Sequence, residues 1–399
     1  MSLVRLRFTL AALLTATVSL LACDDRSVPT QGAAVPRVGD SLTAVAVSAG
    51  ESHGCGVTAA GAAYCWGGNY HGALGDGTTT KERSTAVRVA GGVTFAAVSV
   101  GSGTTCGLTA AGAAYCWGDN QFGEIGDGTT TDRATPVAVA GGVTFAALSA
   151  GSLHTCGVTA AGAAYCWGQN SYGQLGDGTT TDRSSPGLVA GAVSFTAVSA
   201  GYLHTCGVTA AGAAYCWGWA SVVPSPTPAL VADSISFVAV SAGDNYTCGV
   251  TGAGAAYCWG SNLLGEIGDG ITTSNVRVAP VLVAGGLTFT AVSAGRLHTC
   301  GVTVGGAAYC WGARAFGQLG DGATTGPQQC EGLGWGETAC SVVPVPVAGG
   351  LTFAAVSTGN ASTCGVTDAG AAYCWGYNRN GQLGDGSQTD KAVPVRVVH

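Results

Sequence analysis

The chain has 399 residues, a net charge of -7, only 9% charged residues and 67 glycines. The glycines follow no collagen period and sit among Val, Ala, Thr and aromatic residues, a composition of many short strands joined by tight turns. There is no basic tail and there are only two lysines, Lys81 and Lys391, so no footprint exists for neutralising phosphates and nucleic acid is excluded as a partner.

Arg5 and Arg7 precede an apolar stretch from Phe8 to Leu21, about 14 residues and too short for a membrane span of roughly 20. Leu20-Leu21-Ala22-Cys23, followed at once by Asp24, Asp25 and Arg26, is similar to a bacterial lipoprotein cleavage box. The expectation is a lipoprotein-type signal over residues 1–22, lipidation of Cys23, and a flexible tether over 23–38. Such a chain is exported and lipid-anchored to a bacterial membrane, facing the periplasm or the exterior, and touches the membrane through that anchor alone. An ordinary secretory signal, giving a secreted protein, is the alternative.

From residue 39 to 399 the chain repeats itself, which outranks any local propensity. One unit runs from Gly141 through Phe145-Ala-Ala-Leu-Ser149, His154-Thr-Cys156-Gly-Val-Thr159, Gly162-Ala-Ala-Tyr165-Cys166-Trp167-Gly168 and Asn170 into Gly173-Gln-Leu-Gly-Asp-Gly178. Trp-Gly pairs begin at Trp66, Trp117, Trp167, Trp217, Trp259, Trp311 and Trp375, giving seven units, approximately 39–90, 91–140, 141–190, 191–232, 233–284, 285–348 and 349–399. Each unit holds about four strand-like runs, here Phe145–Ser149, Thr155–Thr159, Ala163–Trp167 and Pro136–Ala140, the last with its proline expected at the strand start. Four short strands per unit, seven times over, predict an all-β fold: a seven-bladed β-propeller of four-stranded blades.

Of 17 cysteines, Cys23 stands alone and 16 form pairs of one spacing: Cys55/Cys65, Cys106/Cys116, Cys156/Cys166, Cys206/Cys216, Cys248/Cys258, Cys300/Cys310, Cys330/Cys340 and Cys364/Cys374. Nine intervening residues suit zinc poorly, whereas a hairpin turning near Gly162 sets Val158 opposite Ala164 and Cys156 opposite Cys166. One disulfide per blade is therefore expected, in an oxidising compartment.

The string His-Thr-x-Gly-Val-Thr-x-x-Gly-x-x-Tyr-x-Trp-Gly-x-Asn-x-x-Gly-Gln-Leu-Gly-Asp-Gly resembles the regulator of chromosome condensation repeat family, whose members form seven-bladed propellers. The resemblance extends to secreted bacterial propellers that inhibit β-lactamases by covering them with one face, and to a eukaryotic namesake that exchanges nucleotide on a small GTPase. Two units depart from the string. The fourth replaces its glycine loop with the run from Trp219 to Pro228, and the sixth carries an insertion around 326–341 that contains Trp335 and its own pair, Cys330/Cys340.

The repeated elements read as scaffold. One carboxylate per unit, at Asp76, Asp127, Asp177, Asp269, Asp321 and Asp385, is too few for calcium and suits a turn that hydrogen-bonds its own backbone. His53, His154, His204 and His298 share one position and are expected to be packed or hydrogen-bonded. No hydrolase or phosphate-binding motif is present, and neither a metal, a cofactor nor a catalytic residue is expected. The informative residues are those that differ between near-identical units. One set precedes the histidine position: Glu51, Ser102, Ser152, Tyr202, Asp244, Arg296 and Asn360. The other follows Trp-Gly: Tyr70, His71, Asp119, Phe122, Gln169, Tyr172, Trp219, Leu263, Leu264, Arg314, Phe316, Tyr377 and Arg379. The second set is expected to form a ring of aromatic and arginine side chains on one face, the residue types that dominate protein interfaces. The expected function is a monomeric, non-catalytic scaffold outside the cytoplasm that recognises a protein. The alternatives are an envelope-glycan binder, a nucleotide-exchange regulator and a loop-built enzyme.

Overall fold

The computed structural model describes residues 40–79, 82–219, 225–232, 234–271, 276–326, 328–331 and 337–399. The signal segment, Cys23 and the tether lie outside these residues, as do Lys81 and Trp335. No helix among the described residues is long and apolar enough to cross a membrane.

Seven antiparallel sheets, each of strands consecutive in sequence, form the seven blades of a β-propeller. Blade 1 comprises Ala46–Ala49, His53–Val57, Ala63–Gly68 and Glu82–Arg88; blades 2 to 7 span 97–138, 147–188, 197–232, 237–282, 289–346 and 353–396. In blade 3, Cys156 stands opposite Cys166 and Val158 opposite Ala164, the register the hairpin turn at Gly162 implies. The Cα atoms of that cystine are 4.1 Å apart, the close spacing of directly opposed residues that do not exchange backbone hydrogen bonds.

The same cross-strand disulfide recurs in every blade. Blades 1 and 2 carry Cys55–Cys65 and Cys106–Cys116, and blades 4 and 5 carry Cys206–Cys216 and Cys248–Cys258. Cys300–Cys310 and Cys364–Cys374 complete the series in blades 6 and 7. In each pair the two cysteines are register partners on the middle strands, with Cα atoms 4.0–4.1 Å apart.

Three details differ from expectation. Pro136 is not at a strand start: Arg133–Ala138 begins three residues earlier, and the proline falls within a register shift on the outermost strand, where its missing N–H is also tolerated. Blade 6 has five strands, because its insertion folds back as Gln328–Glu331 against Glu337–Pro346. That blade consequently holds two cystines rather than one. Cys330 and Cys340 are diagonal rather than opposite, with Cα atoms 5.9 Å apart, so this eighth bond staples the inserted hairpin and not the middle strands.

The hydrophobic core is divided into one cluster per blade junction. In each, the cystine of one blade lies beneath the tryptophan of the next, as Cys156 and Cys166 lie beneath Trp217. The seventh cluster joins Cys364 and Cys374 of blade 7 to Trp66 of blade 1, so the ends of the chain meet through the same junction as any other pair. The indole N–H donates to a carbonyl in the preceding blade's glycine loop: Trp66 to Gln382, Trp117 to Ala73, Trp167 to Glu124, Trp217 to Gln174, Trp311 to Glu266 and Trp375 to Gln318, at 2.8–3.0 Å. The loop must approach the ring edge closely. A Cβ on Gly126, which has φ of +77°, would lie 2.6 Å from the Trp167 nitrogen.

Nearer the axis a second circle closes the ring. Ser48, Ser99, Ser149, Ser199, Ser241, Ser293 and Ser357 accept the backbone N–H of Val100, Ala150, Ala200, Ala242, Ala294, Thr358 and Ala49 in turn, at 2.9–3.0 Å. Among the described residues, closure exchanges no strand between the first and last blades. The entry segment instead lies across blade 7, with Leu42 N–H on Val397 O and Ala44 N–H on Gly370 O.

The buried cystines predict a measurable penalty. Replacing Cys156 and Cys166 together by alanine should cost roughly 2–4 kcal/mol in urea unfolding. An unchanged midpoint would mean that the purified protein never forms this bond.

Candidate binding face

In an up-and-down blade the loops after the first and third strands emerge at the same end. Both variable sets therefore share one face. Glu51, Ser102, Ser152, Tyr202, Asp244, Arg296 and Asn360 surround a narrow axial cavity of about 200 Å³. Around it opens a concavity of about 1210 Å³, whose wall includes Glu51, Arg296 and Asn360 together with Tyr70, Asp119, Leu264, Phe316, Tyr377 and Arg379. Glu337 and Thr338 of the blade 6 insertion complete the wall. At the axis, Arg296 bridges two carboxylates: its Nη1 lies 3.2 Å from Glu51 and its Nε 3.7 Å from Asp244. Burial pushes the Asp244 carboxyl up, with Arg296 opposing that shift.

The residues after Trp-Gly do not form an even ring. Tyr70, His71, Tyr172, Trp219 and Arg379 are exposed, while Asp119, Phe122, Gln169, Leu263, Phe316 and Tyr377 are half-buried. Leu264 and Arg314 are buried and offer no free side chain to a partner. Arg314 occupies the place that Asn69, Asn120, Asn170, Asn262 and Asn378 fill in other units, beneath the glycine loop. Its guanidinium turns inward to Asp321, at 3.1 Å, and to the Thr325 carbonyl. Leu264 is buried next to Gly265, where the last strand of blade 6 approaches as the last strand of the next blade does at the other junctions. The variable residues meet across blade junctions. Tyr172 packs edge-on against Trp219 at 4.9 Å, Phe316 against Tyr377 at 5.2 Å, and His71 reaches toward Asp119 and Asp132.

Family comparison agrees with this layout. The regulator of chromosome condensation (RCC1) repeat matches residues 111–158, 161–208 and 369–399. A second model of the same repeat matches 44–73, 95–124, 145–174, 237–266, 289–318 and 353–382, so the two together cover more than half of the chain. The chain belongs to the RCC1 repeat family. It is similar to the ultraviolet-B receptor UVR8 of Arabidopsis thaliana, 31% identical over 34% of this chain and 28% of that protein. It is also similar to the probable E3 ubiquitin-protein ligase HERC4 of Homo sapiens, 35% identical over 23% of this chain and 9% of that protein. The chain thus spans well under two thirds of these relatives. Among solved structures, yeast RCC1 (Prp20), crystallised bound to Kap60, superimposes with a TM-score of 0.74 at 17% identity over 95% of this chain and 91% of that one. Human WBSCR16 does so at 0.73 and 18% identity, over 85% and 94%. At such identities the likeness is one of fold.

Within this RCC1-type ring the repeated polar residues are structural. Asp76, Asp127, Asp177, Asp269, Asp321 and Asp385 each accept the N–H two residues on, at 2.9–3.1 Å. Most also face a base that the sequence reading did not assign: Arg83, Arg133, Arg183, Arg277 or Lys391. The available signal was a carboxylate followed six to eight residues on by a basic residue. Burial alone would raise the Asp127 and Asp177 carboxyls, but threonine hydrogen bonds and the facing arginines hold them below the ordinary range. His53, His154, His204 and His298 lie buried, each with Nε2 on a threonine of the next blade, at 2.7–2.9 Å. Thr105, Thr205 and Thr363 donate their own protons to loop carbonyls, so the facing histidines must donate through Nε2. Burial pushes His53 and His204 down to about 4, and His154 and His298 to about 3.

Two buried glutamates also escaped the sequence reading. Glu124 and Glu266 stand where Gln174, Gln318 and Gln382 stand in other blades. Burial raises Glu124 to about 7 and Glu266 to about 8. An acid raised in the folded state is compatible with folding while protonated, so its contribution is undiminished below its ordinary value of 4.5 and is lost as pH climbs toward 8. Glu266→Gln should match the parent near pH 4.5 and exceed it by on the order of a few kcal/mol at pH 8 in urea titrations. Parallel stability curves would contradict a protonated Glu266.

Proposed function

We propose that the chain is a non-catalytic scaffold outside the cytoplasm that grips a protein partner through its concave face. The observation that carries this reading is the gathering of both variable sets on one concave face, with exposed aromatic residues at its edge. Identical scaffold constraints act on every unit, so the positions released from them are those free to serve a ligand. Buried Trp, Tyr and Arg contacts supply most of the affinity in protein interfaces, and Tyr70, Trp219, Tyr377 and Arg379 are of that kind. Eight cystines suit an oxidising compartment, which supports export; anchoring through Cys23 rests on the cleavage-box sequence alone.

The resemblance to secreted inhibitory propellers makes hydrolases of the β-lactamase class the first partners to test. Affinity capture from extracytoplasmic extract, followed by titration of the captured protein, decides the matter. The triple variant Tyr70→Ala, Trp219→Ala, Tyr377→Ala should bind at least about tenfold more weakly while melting within a few degrees of the parent. Val304→Asp, in a hairpin turn at the opposite end, should bind like the parent. Equal capture by the triple variant, or binding only to glycans, would overturn the assignment.

A further inference from the structure

The junction between blades 1 and 2 differs chemically from its counterparts. The register that brings Tyr172 onto Trp219 and Phe316 onto Tyr377 here brings His71 of blade 1 onto Asp119 of blade 2. Asp132, from the loop leading to the last strand of blade 2, joins them. One ligand atom from each of the three lies within 4.8 Å of the others, and His71 Nδ1 is 2.6 Å from Asp132 Oδ2. Both carboxylates are oriented by backbone. Asp132 Oδ1 accepts the Asn120 N–H at 3.0 Å, and Asp119 Oδ1 accepts the Gln121 N–H at 3.2 Å.

A second, independent feature is Glu124, only 2% exposed. In blade 3 the corresponding Gln174 donates its amide to Gln169, the counterpart of Asp119, at 3.1 Å. Glu124 keeps the acceptor contact, its Oε2 taking the Phe122 N–H at 2.9 Å as Gln174 Oε1 takes the Tyr172 N–H, but it has no amide to donate. A buried carboxyl thus stands behind Asp119 where blade 3 places a donor. The neighbouring base does not offset it, since Arg133 is bound to Asp127 at 2.6 Å. Two carboxylates meet one imidazole, and the buried Glu124 carboxyl adds a weaker, more distant attraction for positive charge at His71.

The geometry points to a binding site for a divalent transition ion of the zinc class, held by His71, Asp119 and Asp132, with its fourth position open to solvent. One nitrogen and two oxygens suit such an ion, whereas calcium requires six to eight oxygens. Bonds of about 2.0–2.1 Å in a tetrahedron separate neighbouring ligand atoms by roughly 3.3 Å. From 2.6 Å the His71–Asp132 hydrogen bond need open by under about 1 Å, and Asp119, within 4.8 Å of both, need close by at most about 1.5 Å. No metal was expected from one carboxylate per unit or from the recurring histidines; these three residues come from two blades and share no motif.

Zinc titration of the oxidised protein, followed calorimetrically, should show one ion per chain with micromolar or tighter affinity. His71→Ala and Asp119→Asn should each weaken it at least about thirtyfold, and Glu124→Gln by a smaller factor, all three remaining folded by circular dichroism. Cobalt added to isotope-labelled parent protein locates the ion without any substitution, by broadening the amide signals of Asn120 and Gln121 first. No saturable binding up to about 1 mM zinc, affinity unchanged in the double variant His71→Ala, Asp119→Asn, or broadening centred elsewhere would each overturn the site.

Discussion

The ring depends on one repeated contact, an indole laid over the preceding blade's cystine with its N–H on that blade's loop carbonyl. The contact joins three features that look unrelated in the sequence. The cystine holds the two middle strands of one blade, the glycine loop lets its backbone approach the ring edge, and the tryptophan belongs to the next blade. Thus Cys55 and Cys65 pack under Trp117, and Cys106 and Cys116 under Trp167. None of the three features has a complete environment within a single unit. A buried indole without its acceptor would forfeit a hydrogen bond on top of its apolar contacts, so each blade is stable only beside its neighbours. The serine circle near the axis applies the same logic to backbone N–H groups.

That dependence explains how freely the loops vary. Packing between blades is satisfied mainly by Trp, Cys, Thr, His, Ser and Gly at fixed positions, so the residues just beyond the first and third strands are free to differ between units. Position by position the same register accepts Gly68, Asp119, Gln169, Trp219, Ser261, Ala313 and Tyr377. Variation is concentrated on one face because the up-and-down path delivers two of each blade's loops there. The blade 6 insertion follows this pattern, folding as an added hairpin on the outer strand and reaching the rim through Glu337 and Thr338.

The parts of the fold that repeat within a unit were legible in the sequence. Cys156 opposite Cys166 followed from the turn at Gly162, and the count of blades from seven Trp-Gly pairs. Cys106–Cys116, Cys248–Cys258 and Cys300–Cys310 follow by the same arithmetic, since each pair straddles an equivalent turn. Cys330–Cys340 shares the spacing without the register, because its hairpin belongs to an insertion. What escaped is what forms between units. The spacing aligns Arg314 with the asparagines of other units but does not show that this position is buried, nor that Leu264 is buried at its blade junction. The Ser149 side chain reads as one residue of an alternating strand until the next blade brings the Ala200 N–H to it. Likewise His71, Asp119 and Asp132 become neighbours only when blades 1 and 2 are set side by side.

Hydrogen exchange of the tryptophan indole N–H groups tests the closed ring most directly. Trp66 is decisive, because its acceptor, Gln382, lies 316 residues away across the join between the chain's two ends. The account predicts that its indole proton exchanges as slowly as those of Trp117, Trp167, Trp217, Trp311 and Trp375, at the rate of global unfolding. Fast exchange at Trp66 beside slow exchange at the other five would show an open stack of blades rather than a ring.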